Sequence, residues 1–60
     1  MVTLTSYYSG EQFKVWVVPE DELPRGCDVL SYVTDEKTML RYTVYKDCVD
    51  GELYAVQEEN

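Results

Sequence analysis

Histidine is absent from the chain, and no Cys-x-x-Cys pair or Cys/His cluster stands in for it. The first absence removes the commonest general base. The second argues against a structural zinc site. Ser6, Ser9 and Ser31 have no activating partner in a recognisable pattern. Cations are also scarce: five Lys and Arg face twelve Asp and Glu, for a net charge of −7. Such a surface repels nucleic acid, whose binding depends on Lys and Arg displacing counterions, and it disfavours anionic membranes. A nucleic-acid-binding barrel is therefore a poor fit. No apolar run approaches the roughly 20 residues that span a bilayer. The opening MVTLTSYYSGEQ lacks a basic start followed by an apolar run, so no signal peptide is expected. With only Cys27 and Cys48 to oxidise, the setting expected is cytoplasmic, in the cell or in an infected host.

Catalysis finds little support in what remains. Asp47/Asp50 or Glu20/Glu22 could act as acid and base, but sixty residues leave no room for a substrate cleft. The segment DCVDGE lacks calcium-loop spacing. The expectation is a protein without enzymatic activity, cofactor or bound metal.

The sixty residues allow one domain, 1–60, of thin core. A 45% hydrophobic share argues against disorder, and six tyrosines with one tryptophan suit a sheet surface or an interface. Residues 2–8 alternate loosely and favour a strand, and QFKVWVV over 12–18 reads as a second, joined to the first through Ser9 to Glu11. In the second strand Phe13, Val15 and Val17 form the core side, while Lys14, Trp16 and Val18 face away. Pro19 ends it, since proline cannot donate to a ladder. A loop with at most one 3₁₀ or α turn within 19–24 is expected, with Glu20, Asp21 and Glu22 suited to the positive end of such a turn. Three adjacent carboxylates suit either a solvated loop or a contact for a basic partner.

Residues 28–57 carry three more strands. Asp35 to Thr38 connects 28–34 to 39–49 and sets Thr34 opposite Met39. Asp50-Gly51 is the strongest short hairpin signal, as a type I′ turn, and sets Tyr45 opposite Val56 and Asp47 opposite Tyr54. The tail 58–60 is expected to fray. The fold class is all-β: five short antiparallel strands in a curled sheet or a small SH3-like or OB-like barrel. Val29, Val33, Leu40, Tyr42, Val44, Leu53 and Ala55 form one apolar face in this register. Leu30, Tyr32, Met39, Tyr45, Val49, Tyr54 and Val56 form a second. A chain this short cannot readily cover both, so the sheet curls or one face meets another molecule. Cys27 would lie opposite Lys46, a diagonal from Cys48 at the edge of disulfide geometry, so a bond or two free thiols both remain open.

Two functions fit. In the first, the domain is an inhibitor or adaptor that docks on a basic, possibly nucleic-acid-handling, protein. Carboxylates stand where phosphates go, as in the DNA mimicry of small phage-type inhibitors. Its acidic candidates are Glu20, Asp21, Glu22, Asp35, Glu36, Asp47, Asp50 and Glu52. The apolar and aromatic candidates are Trp16, Leu30, Tyr32, Met39, Tyr45 and Tyr54. In the second, a structural or assembly protein homodimerises through its second apolar face.

Overall fold

All three hairpins of the chain turn in the same way, and those turns set the register of the sheet. The computed structural model describes residues 1–58. Its strands are β1 (Val2–Thr5), β2 (Gln12–Val17), β3 (Cys27–Thr34), β4 (Arg41–Asp47) and β5 (Leu53–Gln57). Ser6, Asp35 and Asp47 open the three turns. Their carbonyls accept the amides of Gly10 (2.8 Å), Met39 (2.7 Å) and Gly51 (2.9 Å). Their own amides donate to the carbonyls of Glu11 (2.8 Å), Leu40 (2.9 Å) and Glu52 (2.8 Å). Each turn thus holds four residues, and the fourth has a positive φ: 75° at Gly10, 61° at Met39 and 78° at Gly51. Glycine occupies that position twice because it lacks the Cβ that makes left-handed backbone costly.

The opening residues also reach into their own turns. Ser6 Oγ accepts the Ser9 amide (3.3 Å), Asp35 Oδ2 the Thr38 amide (3.3 Å) and Asp47 Oδ1 the Val49 amide (2.8 Å). These three are the buried polar residues among those described. They are buried because turn amides, rather than water, satisfy them.

The strands make one sheet in the order β1-β2-β5-β4-β3. Three pairs are antiparallel, as expected, but β2 and β5 run parallel, with Trp16 beside Tyr54 and Val17 beside Ala55. Nothing local in the sequence encodes that non-consecutive pairing. The sheet curls until its two edges meet at one point, where Ser6 bridges Asp35. There the Tyr7 amide donates to the Thr34 carbonyl (2.8 Å) and the Glu36 amide to the Thr5 carbonyl (2.9 Å). The curl stops short of a closed barrel, so the curled sheet is the form realised and the SH3-like or OB-like barrel is not. A radius of gyration of 10.7 Å agrees with the curl; about 10.4 Å is expected of a folded chain this long.

Inside the curl lie Leu4, Phe13, Val15, Val33, Tyr42, Val44 and Ala55, with Leu53 packed against them. Every strand contributes, and Val15, Val44 and Ala55 are fully buried.

Several expected details shift. Thr34 pairs with Arg41 rather than Met39, and Tyr45 with Tyr54 rather than Val56. The β3–β4 turn holds four residues as expected but sits one position later, at 36–39, and the β4–β5 turn holds four residues, 48–51, in place of two; the Asp50-Gly51 pair forms no type I′ turn, since only Gly51 of the two has a positive φ. A shift of two positions keeps each side chain on its face. β1 ends at Thr5 because Ser6 opens a turn, in which the rings of Tyr7 and Tyr8 meet edge to face at 5.1 Å. A bulge lies between Val29 and Ser31, leaving Leu30 as the extra residue. It turns Val29 out of the core and sets it opposite Tyr45. Leu40 is likewise exposed.

Pro19 ends β2, and Glu20–Glu22 form a single 3₁₀ turn, as expected. Cys27 lies opposite Asp47, not Lys46, and both cysteines are free thiols. The Glu58 amide donates to the Arg41 carbonyl (2.8 Å), so that residue is tied down. The expectation of fraying at Glu59 and Asn60 lies outside the described residues.

Candidate partner-binding face

Side chains alternate across a strand, so the residues between the core positions point outward. On this sheet many of them are apolar or aromatic, with Lys14 and Thr43 as exceptions. Trp16 of β2 stands beside Tyr54 of β5, Tyr54 beside Tyr45 of β4, and Tyr45 beside Val29 of β3. One row of large side chains thus crosses four strands. A second row runs from Val56 through Thr43 to Tyr32. Such cross-strand pairs each contribute roughly 0.2–1 kcal/mol to the sheet. Much of the surface remains in water even so: Tyr32 is 71% exposed and Trp16 42%.

The structure therefore brings together Trp16, Tyr32, Tyr45 and Tyr54. Leu30 and Met39 are separated from these rows, Leu30 in the bulge and Met39 at the left-handed position of its turn. Val29 was missed by the sequence reading because only the bulge turns it outward. A Leu-Ser step inside an otherwise apolar strand offers no clear sign of a bulge.

The carboxylates divide into two groups. Asp35 and Asp47, 5% and 8% exposed, point into the turns. Asp35 accepts the Thr5 amide (3.3 Å), the Thr38 amide (3.3 Å) and the Thr38 hydroxyl (3.0 Å). Asp47 accepts the Val49 amide. Their side chains hold backbone and offer little to a partner. Glu20, Asp21, Glu22, Glu36, Asp50 and Glu52 are exposed. Glu52 joins the two groups of candidates, since its Oε2 accepts the indole N–H of Trp16 at 3.3 Å. That bond sets the ring at the rim of the face, beside a negative charge. Asp50 in turn accepts the Glu52 amide at 2.9 Å.

Negative potential gathers at the β4–β5 turn. The Tyr54 phenol is pushed above its ordinary value of 10.0 by burial first, then by Asp50, Asp47 and Glu52. The Cys27 thiol is raised above 9.0 by burial first, then by Asp47, Cys48, Asp50 and Asp28. Both shifts favour the uncharged form, as expected where anions already crowd. A hollow of about 500 Å³ lies here, along Val29, Leu30, Lys46 and Cys48.

A larger groove of about 750 Å³ opens where β2 leaves the sheet. The Val18 amide still donates to Ala55 (3.0 Å). Pro19 has no amide to continue the pairing and turns the chain into Glu20–Glu22. The flank of β5 beyond Ala55 is left uncovered, and Val17, Val18, Thr43, Tyr45 and Val56 line the gap. The sequence signal for this groove was Pro19 itself.

No group of three or more metal-ligating side chains occurs among the described residues, and none of their helices is long and apolar enough to cross a membrane. Comparison with protein-family profiles, with characterised proteins and with solved structures gives no match.

Proposed function

We propose that this protein is a binding module that docks its outer sheet face on a basic protein surface, as an inhibitor or an adaptor. The observation that carries the reading is the row Trp16–Tyr54–Tyr45–Val29, exposed at Trp16 and Val29, half-buried at Tyr45 and Tyr54, and edged by Glu52 and Asp50, on a chain of net charge −7. Aromatic side chains at a patch centre supply contact area at low entropic cost. Surrounding carboxylates steer the encounter and select a cationic partner. A protein that handles nucleic acid offers such a surface, and a carboxylate rim with Trp16 and Tyr32 as base-like anchors would act there by DNA mimicry. With Asp35 and Asp47 engaged in their turns, the rim available for this is Glu20, Asp21, Glu22, Glu36, Asp50 and Glu52.

The test is affinity capture from a host lysate at about 20 mM and about 500 mM salt, since screening shortens the reach of charge from roughly 20 Å to roughly 4 Å. The expected partner is basic, is retained at low salt and lost at high salt, and is not retained by the double variant Trp16→Ser, Tyr32→Ser. Retention that ignores both salt and the double variant contradicts the reading. Self-association through the same face is the competing outcome, and like charge on both copies opposes it. Sedimentation at micromolar concentration separates the two: a 7.0 kDa species leaves the face free, and a stable dimer occupies it.

A further inference from the structure

We infer that the groove beside β5 takes a short basic–apolar segment of the partner, an apolar side chain entering the groove with a neighbouring Lys or Arg against the acidic turn at its mouth. The inference rests on the docking face proposed above and assigns its most concave part. Three features favour this occupant. The walls are apolar in part, from Val17, Val18, Pro19 and Val56, with Thr43 and Gln57 adding polar groups and Tyr45 joining the groove to the aromatic row. Among the described residues its charged lining is Glu20 and Glu58, both acidic. Asp21 and Glu22 follow Glu20 in the same exposed 3₁₀ turn. Arg41, the cation whose carbonyl holds the Glu58 amide, is not part of the lining and has an interaction of its own.

The shape suits a side chain rather than a small molecule. The groove is open along its length, as expected of a gap left by a departing strand, so a ligand in it stays partly in water. An extended segment tolerates this because its backbone is solvated there. An apolar anchor supplies the burial and a flanking cation the selectivity, since an acidic segment would be repelled by Glu20 and its neighbours.

A displayed random-peptide library, selected on the full chain at low salt, tests this. Enriched peptides are expected to place Arg or Lys beside Leu, Ile, Val or Phe. In NMR titrations such a peptide should move the amides of Val17, Val18, Thr43 and Val56. The variant Glu20→Lys, Glu22→Lys lies on an exposed turn outside the core, and should bind the same peptide about tenfold more weakly. Enrichment of acidic or uncharged peptides overturns the inference. So do shifts confined to Trp16 and Tyr32, although that result leaves the docking face standing. An absence of enrichment overturns the groove as a peptide site, and the lysate capture then judges the broader reading alone.

Discussion

The carboxylate of Asp35 accepts the backbone amide of Thr5, a residue thirty positions earlier. This contact ties the β3–β4 turn to β1 at the one point where the edges of the sheet meet. Asp35→Ala removes three hydrogen bonds to a charged acceptor and takes the partner from the Thr5 and Thr38 amides, both part-buried. The expected loss is about 2–3 kcal/mol. That is a large share of the roughly 3–9 kcal/mol available to a chain of this size. Asp35→Asn keeps one acceptor oxygen and should lose about half as much. Urea unfolding followed by tyrosine and tryptophan fluorescence measures both.

Met39 holds the left-handed position that glycine fills in the other two turns. Its side chain is largely exposed, so little packing is lost with it. Met39→Gly should therefore stabilise the protein by about 1 kcal/mol, and Gly51→Ala should destabilise it by about 1–2 kcal/mol. Opposite shifts in melting temperature, each of several degrees, are expected in calorimetry.

Stability should fall in alkali for a traceable reason. Folding raises the proton affinity of Cys27 above 9.0 and of Tyr54 above 10.0. Well below pH 9 both groups are protonated in both states and contribute no slope. As pH rises further, the unfolded chain loses these protons first. The folded state then binds more protons, and stability declines until each group's raised value is passed. Unfolding curves between pH 8 and 11, read against Cys27→Ser and Tyr54→Phe, should show the decline flattened in each variant. An unchanged slope in both would remove these groups as its cause.

Much of this fold was legible in the sequence, and the parts that were not have physical reasons. Strand positions and most of the two apolar faces followed from alternation, since a two-residue register error keeps parity, but the bulge shifts residues 27–29 by one position and Val17, Val29 and Leu40 leave the core side. Pro19 marked the end of β2 and the acidic 3₁₀ turn. The parallel pairing of β2 with β5 was hidden, because it joins Trp16 to Tyr54 across most of the chain. The inward carboxylates were hidden by their charge, which suggested solvent. A signal was present: Ser6, Asp35 and Asp47 each stand four residues before a left-handed position, and glycine marks two of the three.

Of the candidate site, Tyr45 and Tyr54 could be placed on one face by parity and turn register, and Trp16 only on the outer side of its own strand. Their contiguity could not, because it depends on the hidden parallel pair. Val29 needed the bulge.

Trp16 is the single tryptophan of the chain and lies in the proposed docking face, so it reports directly on the central claim. The measurement is acrylamide quenching of its fluorescence in the free protein and in complex with the captured partner, the partner's own tryptophans being corrected for with a Trp16→Phe control. The account predicts ready quenching in the free protein and marked protection in the complex. Equal quenching in both would show that the partner binds elsewhere and would contradict it.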